Sequence, residues 1–525
     1  MSTSSADAKS YDEIPFPTQP VPPSDPDRLA AIAKLFGLYP TAVDRCRVLE
    51  LGCASGGNLV PLADRLTESQ FVGIDYSAGQ IAAARVAAAR LSLTNIDLQQ
   101  ASILDVGSEL GKFDYIIAHG LYSWVPLEVR EKMLALCKSL LEPNGIAYAS
   151  YNTYPGWCLP NVVRELVVGC TPPDLPISHR LGEARKLLAF FSETLAEDSS
   201  AYSFLLKQEV DRVLGSADGY VAHEHLGQQN TPVYFYEFVE RAWAHGLQYV
   251  GDSLLHTMFP SNISPHLESH LQSVRHDQIS LEQYIDVLRN RAFRMSILCH
   301  DSAPLRGRPP SSVLGELYFQ GVFRPRTAQL DLGSPREESF VTGGGQVFSS
   351  TVGVVKAAMF CLGSAWPGSL RLEELEQRVA QALTPGNSKL TQNDCETLHR
   401  FMAESLVTGV VEARSLPAYF VTMPGPSPRV SPLVREQARH GLSVTNRRHE
   451  SIWLDDVSRN LLPYLDGQHD RAALLRVVSE AAHQGRLSIM RDGVPLDRSE
   501  WTQDLIEPIL DQALAAIASH SLLVA

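Results

Sequence analysis

The stretch Val48-Leu49-Glu50-Leu51-Gly52-Cys53-Ala54-Ser55-Gly56-Gly57-Asn58 decides how this chain is read. An apolar run ends in a carboxylate, a glycine turn follows, and an apolar-periodic segment then begins. That order predicts a strand, a tight turn and a helix, with backbone bared at the turn where a nucleotide-like ligand can approach closely. The spacing argues against a dinucleotide fingerprint, which needs its second glycine two residues after the first so that a pyrophosphate sits on the helix N-terminus. Here Cys53, Ala54 and Ser55 separate Gly52 from Gly56.

Working outward, strands are expected at 48–51, 71–75, 96–100, 113–118 and 146–150. Helices are expected at 59–66, 79–91 and 127–141, the last ended by Pro143-Asn144-Gly145. Strands alternating with helices at this spacing imply βαβ units and a parallel sheet. Residues 156–230 carry helical periodicity instead, after which a helix at 232–245 and strands at 247–252 and 291–299 resume the pattern. The sheet is therefore expected to be interrupted by a helical insert. The rival reading makes 160–300 a separate helical domain.

The E-x-G-x-x-x-G form of Glu50, Gly52 and Gly56 resembles motif I of the class I S-adenosylmethionine (SAM) methyltransferases. The implied fold class is α/β: a Rossmann-like, mostly parallel sheet with a helical insert and regulatory region, and a mixed, mainly α C-terminal domain. SAM presents a carboxylate and ammonium, a sulfonium, a ribose diol and an adenine. N–H groups near Gly56, Gly57 and Asn58 suit the carboxylate. Glu50 suits the positive groups, with Cys53 beside it. Asp75 ends the second strand and can accept both ribose hydroxyls, or simply cap the following helix. Tyr76 is placed against the adenine, and Ser102 and Ile103 resemble the adenine-contacting segment. Many relatives carry an acid where Ser102 stands.

The fourth strand leads into His119, Tyr122 and Trp124, at the end of an open sheet where ligands bind. Tyr122–Pro126 reads YSWVP, and residues 151–157 read YNTYPGW, contributing Tyr151, Tyr154 and Trp157. Both resemble one branch of the superfamily. Residues 220–251 and 288–299 resemble the methyltransferase regulatory domain, and 442–465 resemble the C-terminal domain of the bacterial outer-membrane-protein lysine methyltransferases. The resemblance implies N-methylation of a lysine on a protein substrate, and a homodimer. His119, Tyr122 and Tyr151 are the expected catalytic side chains, with His119 also against the cofactor. Tyr122, Trp124, Tyr154, Trp157, His223 and Glu224 are expected to receive the substrate. Aromatic faces suit an ammonium and its methylated product. Each of these aromatics alone more often serves a core.

The 525 residues divide into a Ser-, Pro- and Asp-rich lead-in at 1–26 that is expected to be flexible, a SAM-binding core at 27–158, an insert and regulatory region at 159–300, and, after a Pro/Arg-rich break, a C-terminal domain at 311–525. A net charge of −14 argues against nucleic acid as the main partner. Eight scattered cysteines form no C-x-x-C pair and fit a reducing, cytoplasmic setting. No signal peptide or membrane span is read. His223 and His225 stand at i, i+2 and share no helix face, so no metal is expected. Two other functions compete with protein-lysine methylation. One is methylation of a small metabolite. The other is a SAM-binding interaction protein without catalysis.

Overall fold

The computed structural model describes residues 18–525 apart from 173, 228, 261–262, 264–276, 307–310, 387, 488–489, 492–493 and 496–502. Its centre is a seven-stranded sheet in the order β3-β2-β1-β4-β5-β7-β6. The strands are β1 (Arg47–Leu51), β2 (Gln70–Asp75), β3 (Ile96–Gln100), β4 (Phe113–Ala118), β5 (Leu141–Asn152), β6 (Leu247–Asp252) and β7 (Phe293–His300). β1 to β5 pair in parallel, while β7 runs antiparallel to both β5 and β6. The last two strands thus arrive from beyond the helical insert, and the reading of 160–300 as a separate helical domain fails. β5 also begins earlier than expected. Pro143, Asn144 and Gly145 lie in a register irregularity of the β4–β5 ladder, so residues that read as a stop are carried inside the strand.

Both faces of the sheet are covered, as a parallel sheet requires. Val48 points to the face packed by Leu29, Leu59 and Ile81, whereas Leu49 and Leu51 point to the face packed by Met133 and Phe238. The insert consists of helices Cys158–Cys170, Ile177–Leu195 and Ala201–Leu214, closed around Val163, Leu181, Leu188 and Val210. Its exit is tied to its entrance. Thr153 bridges Val233, and the Tyr154 N–H donates to the Val233 carbonyl over 3.2 Å. Beyond β6, helix Gln278–Arg289 is clamped to β7 by the fully buried Arg294. Its guanidinium reaches Asp286 at 2.7 and 2.9 Å and Glu282 at 3.1 Å, and lies 3.5 Å over the Phe235 ring.

Residues 311–525, read as one domain, contain two separate cores. One joins Phe319, Phe340, Leu375 and Met402, and takes in Ala31 and Leu35 from the N-terminal helix Pro26–Leu35. The other joins Val434, Leu474, Leu510 and Ile517. The lead-in needs a correction too: 1–17 lie outside the described residues, but 18–26 are pinned rather than loose. Asp25 is fully buried between Arg65 (2.5 Å) and Arg414 (2.9 Å). Burial pushes its carboxyl up, and the two guanidinium charges overcome that and hold it well below the usual range. Among the described residues, no helix is long and apolar enough to cross a membrane.

Candidate functional site

The site lies at the carboxyl ends of β1, β2, β4 and β5, as open α/β sheets dictate. A cavity of about 1270 Å³ runs from there to the helical insert. Gly52 (φ +76°) and Gly56 (φ +77°) take left-handed backbone that glycine adopts without strain, and with Ala54 (φ +45°) they fold the turn tightly after β1. Gly52 bares its backbone to the cavity. Gly56 does not reach it: a Cβ there would meet Val60 at 2.9 Å, so this glycine serves helix–turn packing.

Glu50 and Asn58 face the cavity beneath the turn, both buried. The Asn58 amide donates to Glu50 Oε1 over 2.8 Å. Glu50 Oε2 is buried with no partner among the described residues, an acceptor aimed where a cationic group fits. Burial raises the Glu50 carboxyl to about 7, with Asn58 opposing and Asp75 assisting. Cys53 lines the same wall, its thiol held protonated by burial and by the Glu50 and Asp75 charges. Asp75 holds the turn itself, accepting the Ala54 and Ser77 N–H groups at 2.9 Å each. The helix cap falls to Ser77, which accepts from the Gln80 N–H. Tyr76, Ser102 and Ile103 line the adjoining wall, and Ser102 Oγ accepts from the Leu104 N–H.

His119 also lines the cavity. Its Nδ1 sits 3.0 Å from the Tyr148 hydroxyl and 3.1 Å from Ser150 Oγ, and burial lowers it to about 4. A neutral imidazole with so low a value positions a neighbour better than it takes a proton. Tyr122 and Tyr151, expected as catalytic, are placed elsewhere. On β5 the side chains alternate: Ala147, Ala149 and Tyr151 enter one core while Ser150 and Asn152 face His119 and the cavity. Tyr151 stacks on Phe238 and bonds Ser296 Oγ at 2.9 Å. Tyr122 is fully buried edge-on to Phe238, and burial raises its phenol to about 12. Neither hydroxyl reaches the cavity. Tyr154 packs on Tyr234 outside it.

Trp124 and Trp157 do line it, T-shaped at 6.3 Å, and so do His223 and Glu224 from the π-helical turn Val221–His225. Burial raises the Glu224 carboxyl to about 7 against the charges of Arg212 and Arg164. Several wall residues escaped the sequence reading. Leu205, Gln208, Glu209 and Arg212 come from one face of helix Ala201–Leu214, at i, i+3, i+4 and i+7. That periodicity was visible, but its target was not. Asn152 carried a signal, lying inside YNTYPGW. Thr18 and Val21 carried none. Thr18 Oγ1 contacts Ser55 Oγ at 2.5 Å, and the Val21 N–H donates to Asn58 Oδ1 at 2.9 Å. No metal-holding cluster of His, Cys, Asp and Glu occurs among the described residues.

A sheet of this order, a glycine turn over a buried carboxylate and an acid at the end of β2 define a class I SAM-dependent methyltransferase. Residues 48–145 match the family described as a methyltransferase domain, 217–300 a predicted methyltransferase regulatory domain, and 427–522 the PKMT C-terminal winged helix domain. The chain belongs to the PKMT family. It is 30% identical to PKMT2 from Rickettsia typhi, with a TM-score of 0.89 over 97% of this chain and 100% of that one. PKMT2 in complex with AdoHcy superposes with a TM-score of 0.88, again at 30% identity over 97% of this chain and 100% of that one. Uncharacterized protein RP789 of Rickettsia prowazekii is 31% identical over 99% of this chain and 94% of its own length.

Proposed function

We propose that this methyltransferase acts on the side-chain amine of a lysine presented by a protein. One observation carries the reading. The cavity does not end at the cofactor pocket but continues to the insert, where Trp124, Trp157, Glu224 and the Glu209–Arg212 ion pair line a passage suited to a long amine-bearing side chain. Membership of the PKMT family supports it.

When bound, SAM supplies a methyl group on a positively charged sulfur, which an uncharged amine displaces in line. The residues present fit it: Glu50 Oε2 for the positive end, Asp75 for the ribose diol, and Tyr76, Ser102 and Ile103 for the adenine. The protein's tasks are positioning and desolvation. A lysine enters as an ammonium drawn by Glu224, while Glu209 on the same wall is held by Arg212. Glu224, titrating near 7, is matched to accept the proton. Trp124 and Trp157 offer faces to the cation and exclude water. His119, held neutral, orients the wall beside Tyr148 and Ser150.

The test is incubation with SAM labelled in the methyl group and a bacterial lysate, followed by hydrolysis of the protein fraction. Label in methyl-lysine is expected. Label confined to small molecules would assign a metabolite acceptor instead. A homodimer, implied by the family resemblance, is read separately by light scattering.

A further inference from the structure

The PKMT winged-helix region reaches across the whole sequence to the floor of the cofactor pocket. His449 is buried, and its Nε2 lies 2.7 Å from Asn58 Oδ1, 391 positions away in sequence. Which atoms donate is decided by geometry. The Val21 backbone N–H also points at Oδ1, and a backbone N–H only donates, so that atom is the amide oxygen. His449 therefore donates through Nε2, and the amide nitrogen of Asn58 is left to face Glu50 Oε1 at 2.8 Å and Ser24 Oγ at 3.1 Å. The chain of contacts runs His449 to Asn58 to Glu50, and ends on the buried Oε2 in the cavity.

Two features show that His449 is held for this contact. Its backbone is left-handed (φ +65°), an uncommon conformation outside glycine. The loop is locked there by Asn446, whose Oδ1 accepts the N–H groups of Arg448 and Glu450 at 2.9 Å each. Burial lowers the imidazole to about 3, so it remains a neutral single donor across the working range. The neighbouring Arg447 pairs with Asp64 at 3.1 Å, and its carbonyl accepts from Arg65 at 3.3 Å, fixing the loop on the methyltransferase core.

We infer that His449 is a positioning residue for the cofactor: by orienting the Asn58 amide it fixes the Glu50 carboxylate, and so couples the seating of the winged-helix domain to methyl-donor affinity. The inference rests on SAM binding alone and is independent of what accepts the methyl group. Coupling of this kind is reciprocal, so the bound donor also tightens the domain's seat. The groups facing Glu50 are Asn58, Asp75 and the Cys53 thiol, with the Tyr148 phenol nearby; those around His449 are Asp25, Arg65 and Arg414. Asn58 lowers Glu50, so losing its orientation raises it.

The experiment is calorimetric titration of the full chain with S-adenosylhomocysteine between pH 6 and 9. H449F keeps the ring and removes the donor, whereas H449Q restores an N–H. H449F is expected to weaken binding about five-fold, the worth of one hydrogen bond. It is also expected to move the midpoint of the pH dependence up by about half a unit. H449Q is expected to bind within about two-fold of the wild type, and H449F to cost nothing further in an N58A background. Wild-type affinity in folded H449F, an unmoved midpoint, or an undiminished loss on top of N58A overturns the inference. Should H449F fail to fold, H449N, suited to left-handed backbone but too short to reach, is read against the same outcomes.

Discussion

Asp75 does two things at once. Its carboxylate ties the glycine turn to the end of β2 through Ala54 and Ser77, and it stands on the cavity wall. Asp75→Ala is expected to weaken S-adenosylhomocysteine binding by about 10²-fold, the worth of hydrogen bonds to a charged group; calorimetry on a folded variant checks this, and unchanged affinity would refute the ribose assignment. Glu224 is tested by pH. Its carboxyl is protonated below about 7, so if Glu224 accepts the proton as proposed, methylation by the wild type is expected to rise through about 7 as the carboxylate forms. E224Q removes that limb and lowers kcat/KM by roughly 10²-fold. Glu50, Gly52 and Asp75 were legible because a strand, a turn and an acid are local patterns. His449 was not, because nothing local links it to Asn58.

Strands and helices set the next level. Tyr151 shows what a sequence withholds there: alternation along β5 is certain, but which of its two faces meets the ligand depends on neighbours that fold over it later. The return of β6 and β7 after the insert was legible, because two apolar runs needed a sheet to join. The clamp on β7 yields a stability prediction. R294M leaves the buried Glu282 with only the neutral donors Tyr249 and Gln278, and Asp286 with only Arg291 at 3.5 Å, which costs about 3 kcal/mol. Hydrogen exchange of β6 and β7 amides reads that loss as local opening. Protection equal to the wild type would show that the helix Gln278–Arg289 is held by apolar packing alone.

At the scale of the molecule, the domains meet through clustered charge. Glu412, its side chain 35% exposed, lies among Arg28, Arg414 and Arg448. Burial pushes its carboxyl up, but the three guanidinium charges prevail and hold it near 2. An unfolded glutamate titrates at about 4.3. The contribution of Glu412 is therefore complete above that value and is lost as pH falls towards 2. Thermal melts should show E412Q less stable than the wild type at pH 7, with the gap narrowing below about pH 4.3 and closing only towards pH 2. A gap that persists in acid would place the contribution in packing rather than charge. None of this junction was legible beforehand, since it is assembled from segments near 25, 65, 414 and 448.

The tie between Thr153 and Val233 has an evolutionary consequence. An excursion that leaves and rejoins a sheet at one hydrogen-bonded point can be exchanged by recombination at a single seam. Everything from 154 to 232 then changes together, with Trp157, Glu209 and Glu224, while Glu50, Gly52 and Asp75 stay untouched on the other side of the cut. Exchanging 154–232 between relatives is therefore expected to change the outer wall of the cavity while leaving the inner, glycine-turn end in place.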